Sequence, residues 1–374
     1  MRKVSALIIG LAMVLSLAAC SGSKPAEKAP TTPAPAPAPK PAEKLKMAFV
    51  YVGPIGDGGW TFEHDKGRLQ VEKELAGKVE TTYLESVPEG ADAERVFEEL
   101  AQKGNKVIWG TSFGYMDAME KVAKKYPNVI FMHASGFKMG PNFGNYFGRN
   151  HDAFYLAGIV GGLQTKGTIG MVAAYPIPEV IRAINAFTLG ARSVNPTAKV
   201  KVVWTNTWYD PAKEKTAALS LLDVGADMIA MYQDSPGPLQ AAQERGKTAI
   251  GNDSDSRQHA PKAFLTAPVW NWGPYYVKVA KDVMAGTWKP ESYWGSVKDG
   301  IVDLAPLADF APKGAQAKVD DAKKKLSDGS LVVFKGPIKD QTGKEKVAAG
   351  VALKDDELLS MSWFVEGVEG VIPK

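Results

Sequence analysis

The sequence predicts an α/β protein made of two lobes, each built on a doubly wound parallel sheet. From Leu45 onward, short apolar runs alternate with amphipathic helical patterns, as in parallel sheets covered by helices on both faces. The alternation starts again after about residue 150, so the same pattern occurs twice. The whole sequence is 45% apolar, and the stretch beyond Leu45, about 330 residues long, is of a size that usually forms two lobes or domains.

The first series of elements lies between residues 45 and 150. Its strands are predicted from short apolar runs at Leu45–Val52, Val79–Leu84, Lys106–Trp109 and Val129–His133. Its helices are predicted from amphipathic patterns at Thr61–Leu75, Ala91–Lys103 and Met116–Lys125. Strand and helix alternate throughout, which indicates parallel neighbours joined by crossover helices.

The second series follows from about residue 151 to residue 269. Its predicted strands are Thr168–Ala174, Lys199–Thr205, Met228–Tyr232, Thr248–Gly251 and Phe264–Val269. Its predicted helices are Asp152–Leu163, which is rich in small residues, Pro178–Ala191, Pro211–Val224 and Leu239–Arg245. Asp210 before Pro211 suits a helix cap followed by proline at the first helical position.

The rest of the chain is predicted to return to both lobes. We predict helices at Gly273–Met284 and, with many charges, at Lys313–Ser327. The predicted strands are Ile301–Leu304 and Leu331–Phe334. Gly286–Trp294 is predicted to be a polar connection and Lys335–Gly350 a loop. We expect the first lobe to comprise about 45–150 plus a returning segment at about 270–300. The second lobe would comprise about 151–269 plus the C-terminal segment.

The N-terminus has the pattern of a secretory signal. Arg2 and Lys3 precede a short apolar run, Val4–Leu17, which ends at Leu17-Ala18-Ala19-Cys20. That run is too short for a comfortable transmembrane helix. The last four residues match a bacterial lipobox, so we expect a signal peptide at 1–19, cleavage before Cys20 and lipidation of its thiol.

The segment after the lipobox is predicted to be a tether. Ser21–Lys46 is almost all Pro, Ala, Lys, Glu, Ser and Thr, a composition that cannot bury enough apolar surface to fold. We therefore assign 20–44 to a lipidated cysteine and a Pro/Ala-rich tether, and 45–374 to the folded domain. The expected location is the extracytoplasmic face of a cell membrane, with the body held there by its lipid.

Composition excludes several classes of function. Cys20 is the only cysteine, so the mature fold has no disulfide, thiol nucleophile or cysteine-based metal site. Without Arg2 and Lys3 the chain carries 43 basic and 41 acidic side chains, a balance that does not indicate a nucleic-acid partner. The four histidines have no metal-ligand spacing, and no Gly-x-Ser-x-Gly motif is present. We expect no catalysis, metal or cofactor.

Aromatic and acidic side chains follow the predicted strands. Two such lobes leave a cleft that faces the carboxyl ends of their strands, where ligands of open parallel sheets bind. The residues expected there are Asp57, Trp60, Phe113, Trp208, Asp234, Asp253, Trp270, Asn271 and Trp272. Aromatic planes with carboxylates and amides suit a flat, nitrogen-rich ligand that is neutral or weakly basic. A sugar could use the same rings, and Asp57 could simply cap the following helix while Trp60 packs between the lobes.

Four motifs resemble one known family. They are Tyr51-Val-Gly-Pro-Ile-Gly-Asp-Gly-Gly-Trp60, Trp109-Gly-Thr-Ser-Phe-Gly114, Thr207-Trp-Tyr-Asp-Pro211 and Ile250-Gly-Asn-Asp-Ser-Asp255. Together they resemble the basic membrane protein family, solute-binding lipoproteins of ABC importers typified by purine nucleoside receptors. The resemblance covers nearly all of the chain beyond the tether. It implies the type I periplasmic-binding-protein fold, in which two lobes joined by a hinge close on a ligand.

The resemblance also implies a ligand site. In nucleoside-binding members one aromatic from each lobe sandwiches the purine, and the matching positions are Trp60 and Trp208. The first-loop acid of the family matches Asp57, and its ribose-contacting aspartate matches Asp253. Where nucleoside binders carry a lysine beside the ribose, this chain has Trp270.

The loss of that lysine favours a free purine base, such as adenine, over a nucleoside. Asp234 or Asp57 would accept hydrogen bonds from the amino group or ring N–H of the base. The close alternative is a purine nucleoside. The expected protein partners are an ABC permease and its separate ATPase, with the binding protein itself a monomer. Two further alternatives are an extracytoplasmic nucleoside hydrolase using Asp253 and Asp255, and a sensory lipoprotein.

Overall fold

The computed structural model describes residues 43–373. The predicted signal peptide at 1–19, the lipidation site Cys20 and the tether as far as Ala42 lie outside the described residues. Within residues 43–373, no helix is both long and apolar enough to cross a membrane.

The described chain contains two six-stranded sheets and two short two-stranded ones. The strands are β1 (Leu45–Val50), β2 (Val79–Leu84), β3 (Val107–Gly110), β4 (Ile130–Ala134), β5 (Phe143–Gly148), β6 (Thr168–Ala173), β7 (Lys199–Trp204), β8 (Met228–Tyr232), β9 (Thr248–Ile250), β10 (Phe264–Thr266), β11 (Pro268–Trp270), β12 (Ser292–Gly295), β13 (Val302–Leu304), β14 (Ile338–Lys339), β15 (Glu345–Val347) and β16 (Val368–Glu369). The α-helices are α1 (Trp60–Glu74), α2 (Ala91–Gln102), α3 (Met116–Lys125), α4 (Asn150–Gln164), α5 (Pro178–Val194), α6 (Pro211–Asp223), α7 (Gly237–Glu244), α8 (Gly273–Ala285), α9 (Ala315–Asp328) and α10 (Asp355–Leu359).

The first lobe is the sheet β2-β1-β3-β4-β5-β12 with helices α1, α2, α3 and α8, and all of its strand pairs are parallel. Alternate residues of β1 pack on opposite faces. Met47 and Phe49 lie against α1 and α8, whereas Ala48 and Val50 lie against α2 and α3. Because the central strands β1, β3 and β4 are buried on both faces, they are nearly continuous apolar runs.

The second lobe is the sheet β16-β7-β6-β8-β9-β10, again entirely parallel, with α4, α5 and α9 on one side and α6 and α7 on the other. The small residues of α4 allow very close packing against α5. A Cβ atom added at Gly158 would lie 2.1 Å from the carbonyl oxygen of Phe187, and one added at Gly190 would lie 2.0 Å from that of Tyr155. The two helix backbones can approach this closely only because glycine occupies both positions.

The chain crosses between the lobes three times, after β5, after β10 and after β12. Two of these crossings are tied together, because β11 pairs antiparallel with β13. The predicted fold class is confirmed: two doubly wound parallel sheets joined by a multi-stranded hinge, as in type I periplasmic-binding proteins.

Several predicted elements differ from the structure. Leu331–Phe334, predicted as a strand, forms none; Phe334 instead packs in the core of the second lobe. The polar connection at Gly286–Trp294 contains most of β12, and the loop at Lys335–Gly350 contains the β14–β15 hairpin. The strand β5 was not predicted, because its sequence FGNYFG has two glycines and an asparagine. The segment is nevertheless a strand, because it pairs with β4 on one side and β12 on the other.

Candidate functional site

A partly open pocket with about 320 Å³ of empty space, some of it continuous with solvent, lies between the lobes at the carboxyl ends of their parallel strands. It is called the cavity below. Each lobe contributes five lining residues. Those of the first lobe are Val52, Trp60, Ser112, Phe113 and Ser135, and those of the second are Glu179, Trp208, Tyr232, Asp234 and Asp253. The position agrees with the general rule for open α/β sheets, whose ligands bind at the carboxyl edge.

Trp60 is held rigidly on the first-lobe wall. It is the first residue of α1, and its indole Nε1 donates to the carbonyl oxygen of Thr111 at 2.6 Å. The rings of His64, Trp270 and Trp272 meet it edge-on, with interplanar angles of 80–82°. These contacts fix the plane of the indole, and the part of the side chain that they leave uncovered lines the cavity.

Trp208 lines the opposite wall, in the loop between β7 and α6. Its ring lies 5.1 Å from that of Tyr175, centroid to centroid, and its buried Nε1 has no hydrogen-bond partner within residues 43–373. Asp210, two residues further on, accepts from the backbone N–H of Lys213 and caps α6, as predicted. The structure thus brings one indole from each lobe to the same cavity.

Three carboxylates face this cavity from the second lobe. They belong to Glu179 in the first turn of α5, Asp234 after β8 and Asp253 after β9. Burial raises the pKa of all three side chains above the ordinary range. Repulsion from Asp253 raises the pKa of Asp234 further. Among the described residues that line the cavity there is no lysine or arginine.

Glu179 and Tyr232 form a buried network across the back of the cavity. The hydroxyl of Tyr232 donates to Glu179 Oε1 at 2.6 Å and accepts from the amide of Asn150 at 2.9 Å. The hydroxyl of Ser135, from the first lobe, interacts with the same Glu179 carboxylate and lowers its pKa, against the larger effect of burial. The Glu179 side chain is therefore held by Tyr232 of its own lobe and lies near Ser135 of the other lobe.

Asp253 is oriented by a tryptophan behind the cavity. Trp270 Nε1 donates to Asp253 Oδ1 at 2.7 Å, and the Trp270 ring stacks on Trp272 at 4.6 Å. Asp253 itself has φ = 65°, a value that non-glycine residues rarely adopt. Backbone strain of this kind occurs mainly where a side chain must be placed for function.

Four of the nine residues expected in the cleft do not line the cavity. Trp272 is buried in the first lobe, where its ring stacks on that of Trp270. Asp57 caps α1: its carboxylate accepts from the backbone N–H groups of Gly59, Thr61 and Phe62 at 2.8–3.0 Å. Trp270 lies behind Asp253, as described above. Asn271 is exposed and donates to the carbonyl oxygen of Gly300 in the hinge region. The other five, Trp60, Phe113, Trp208, Asp234 and Asp253, do line it.

Five lining residues were not predicted: Val52, Ser112, Ser135, Glu179 and Tyr232. Ser135 follows β4, and Glu179 follows β6 at the start of α5. Both residues follow predicted parallel strands, which is where ligand-binding side chains are expected, so their position in the sequence is the signal that identifies them. Tyr232 reads as a core residue at the end of an apolar run, so nothing local in the sequence distinguishes it.

The two lobes touch beside the cavity. Ser254 and Ser256 each donate a hydroxyl hydrogen bond to the carbonyl oxygen of Gly58, across the cleft. A Cβ atom added at Gly59 would lie 2.5 Å from the carbonyl oxygen of Asp234. The glycine-rich first loop therefore provides the close approach that brings the lobes together.

Neither a metal centre nor the hydrolase arrangement is found in the part of the chain that the structure describes. Across residues 43–373, no group of three or more His, Cys, Asp or Glu side chains is placed to hold a metal ion. Asp255, the proposed partner of Asp253, is exposed and pairs with Arg257 at 2.8 Å. It is not among the cavity-lining residues.

Comparison with known proteins agrees with this geometry. A family model described as ABC transporter substrate-binding protein, PnrA-like, matches residues 44–336. A purine-binding protein from Brucella abortus (strain 2308) is 45% identical over 333 residues, which cover 89% of this chain and 95% of that protein. A putative ABC transporter glucose-binding protein from Haloferax volcanii is 39% identical over 334 residues, covering 88% of this chain and 82% of that protein.

Solved structures agree on the fold. An ABC transporter solute-binding protein from Aeropyrum pernix K1 superposes with a TM-score of 0.68 at 18% identity, covering 84% of this chain and 97% of that one. At this identity the likeness shows the fold alone, whereas the family match rests on the sequence. The chain therefore belongs to the Bmp family of PnrA-like ABC transporter substrate-binding proteins, and it is a solute-binding protein rather than an enzyme.

Proposed function

We propose that this protein is a lipoprotein that holds a purine nucleobase, adenine or a close relative, between Trp60 and Trp208 and delivers it to an ABC permease. The observation that carries the proposal is the pair of indoles, one from each lobe, on a single cavity with three carboxylates. Stacking a base on an aromatic ring contributes about 1–3 kcal/mol. Two rings would therefore supply much of a micromolar affinity. The name of the Brucella relative, a purine-binding protein, supports the same ligand class.

The contact between Trp270 and Asp253 favours a base over a nucleoside. A ribose presents two adjacent hydroxyl donors, which suit a carboxylate with both oxygens free. Here Trp270 occupies one oxygen of Asp253, and no lysine or arginine lines the cavity within the described residues. A purine nucleoside remains the alternative ligand within this family.

A sugar is the second candidate, because the Haloferax relative is named a putative glucose-binding protein. Indole faces and carboxylates also suit sugar rings and their hydroxyl groups. The two candidates differ in what the rings must do. A flat purine can be enclosed between two indoles, whereas a non-planar pyranose packs only its C–H face on a ring.

Isothermal titration calorimetry against adenine, guanine, hypoxanthine, adenosine, guanosine and glucose tests the proposal. We expect a free base to bind at micromolar or tighter affinity and its nucleoside to bind more weakly. If nucleosides bind much more tightly than bases, the interpretation of Trp270 is wrong. Binding of glucose with none of any purine would contradict the ligand class itself.

The proposed partners follow from the family. Closure of the lobes on the ligand would create the surface that a permease recognises, and a separate ATPase would drive transport. We propose that the protein acts as a monomer, anchored to the membrane through lipid on Cys20. A sensory lipoprotein would use the same closure to signal to a receptor, and a permease and ATPase encoded beside this gene would favour transport.

A further inference from the structure

The cavity is unusually acidic for a site that binds a neutral ligand. Glu179, Asp234 and Asp253 are 8%, 5% and 2% exposed and face the same space of about 320 Å³. No cationic side chain lines that space among the described residues. Three buried negative charges placed together in this way are costly unless cations or hydrogen-bond donors compensate them.

The available donors compensate the three carboxylates unequally. Glu179 accepts from Tyr232, and Asp253 accepts from Trp270. Among residues 43–373 the carboxylate of Asp234 accepts no hydrogen bond, and its oxygens, which are not fully buried, reach the cavity. A buried polar group without a partner needs one from the ligand or must lose its charge.

Other acidic side chains around Asp234 and Asp253 add to the excess of negative charge at the cavity. The negative charges of Asp57 and Glu179 act on both aspartates. Glu214 on α6 acts on Asp234, and Glu63 on α1 acts on Asp253. A cation, Arg182 on α5, acts on Glu179 and donates to the carbonyl oxygen of Leu358. Burial first, and then repulsion among these acids, raises the pKa of Asp234 well above its ordinary value.

We propose that the site binds its purine together with one proton from solvent, held on Asp234 when the lobes close. The protonated acid then offers one O–H donor and one C=O acceptor. The O–H can donate to a ring nitrogen while the C=O accepts from a neighbouring amino group, as adenine offers. The same two groups can also bind a carbonyl beside a ring N–H. The remaining carboxylates accept the other N–H groups of the base. The inference rests on the proposed function and narrows the ligand to neutral or basic purines, because an anionic purine would be repelled.

The sign of the pH dependence follows from this scheme. In this scheme Asp234 is hydrated and ionised at neutral pH while the lobes are open, so the complex holds one proton more than the separated partners. Affinity for a purine that does not itself titrate therefore falls as the pH rises, by up to about tenfold per pH unit.

The test is calorimetry with adenine at pH 6, 7 and 8, in buffers that differ in ionisation enthalpy. We expect the binding heat to depend on the buffer, corresponding to uptake of about one proton, and the affinity to fall with pH. Asp234→Asn, a permanently neutral side chain, should bind adenine with little pH dependence. Asp255→Asn serves as the control, because this exposed carboxylate pairs with Arg257 outside the cavity, and it should keep the wild-type slope.

Three outcomes separate the possibilities. Adenine binding with a flat pH profile and no buffer effect in the wild type overturns proton uptake but leaves the proposed function intact. A wild-type slope that survives in Asp234→Asn overturns the assignment of the proton to Asp234. Failure of the folded wild type to bind any purine at any of the three pH values overturns the proposed function and this inference with it.

Discussion

At the scale of single residues, the site combines rigid rings with strained acidic positions. Trp60 is fixed by its hydrogen bond to Thr111 and by edge contacts with neighbouring rings. Asp253 and Ser135 both line the cavity with positive φ angles of 65° and 59°. Such conformations cost about 1–3 kcal/mol each and persist where the surrounding structure holds them. Both walls of the cavity therefore carry preorganised positions, on which a ligand loses little affinity to side-chain ordering.

Replacing either cavity indole with alanine should weaken ligand binding without unfolding the protein. Trp60→Ala and Trp208→Ala each remove one stacking face, worth about 1–3 kcal/mol, which corresponds to about 5- to 150-fold in Kd. Calorimetry with adenine measures the loss, and Trp208→Phe should restore most of it. Because Trp60 also packs in the core of the first lobe, the thermal stability of each variant must be measured alongside its affinity.

Trp288→Ala is the matched control for these two variants. Trp288 is half-buried after α8 and is not among the residues that line the cavity. Its loss should lower stability to a similar extent or less and leave Kd unchanged. Wild-type affinity in both cavity variants would contradict the sandwich between Trp60 and Trp208.

At the scale of elements, the site is made by loops that follow parallel strands. The glycine-rich loop after β1 and the loop after β8 meet where Gly59 packs against Asp234. Ser254 and Ser256, after β9, bind the carbonyl oxygen of Gly58. Strand order brings these loops to one edge, and the small size of Gly59 sets how far the lobes can close.

Gly59→Ala should therefore weaken binding by obstructing closure. The added Cβ would lie 2.5 Å from a backbone oxygen of the other lobe, a contact that no rotamer change can relieve. We expect Kd for adenine to rise at least tenfold, because closure is coupled to binding. Each lobe should keep its fold, which circular dichroism and thermal unfolding can verify.

Gly56→Ala lies in the same loop and provides the comparison. A Cβ atom at Gly56 meets nothing within 4 Å, so this variant should bind as the wild type does. Equal affinities in Gly56→Ala and Gly59→Ala would show that the close contact between the lobes is not needed for binding.

At the scale of the whole molecule, three crossings join two similar lobes around one cavity. The antiparallel pair β11–β13 links two of the crossings, and Trp270 at the end of β11 reaches directly to Asp253. Hinge and ligand site are therefore in contact, which suits a protein that closes as it binds. As a substrate-binding protein of an ABC transporter, the molecule works outside the cytoplasm.

We propose that the full-length chain is held at the membrane by its lipidated N-terminus. In cells that express the full chain, the wild type should fractionate with membranes. Cys20→Ala should lose the lipidation site and appear in the soluble extracytoplasmic fraction or as an uncleaved precursor. Mass spectrometry of the mature N-terminus gives an independent readout. A wild-type protein with an unmodified Cys20 would contradict the lipid anchor.

Patterns in the sequence are enough to predict the fold class and part of the cleft wall. Alternation of apolar runs with helical patterns predicts parallel sheets, because each buried strand must be covered on both faces. The carboxyl-edge rule then placed Trp60, Trp208, Asp234 and Asp253 near one another, and all four line the cavity.

Tertiary contacts determine which of these side chains face the ligand space. Asp57 turns back to cap α1, and Trp270 turns to orient Asp253, because each has nearby backbone or side-chain partners that the sequence does not reveal. Glu179 and Tyr232 form a hydrogen bond although they are 53 residues apart in the sequence. β5 forms although its own residues disfavour a strand, since its neighbours β4 and β12 satisfy its hydrogen bonds. Side-chain direction and edge pairing depend on long-range contacts, which local patterns do not contain.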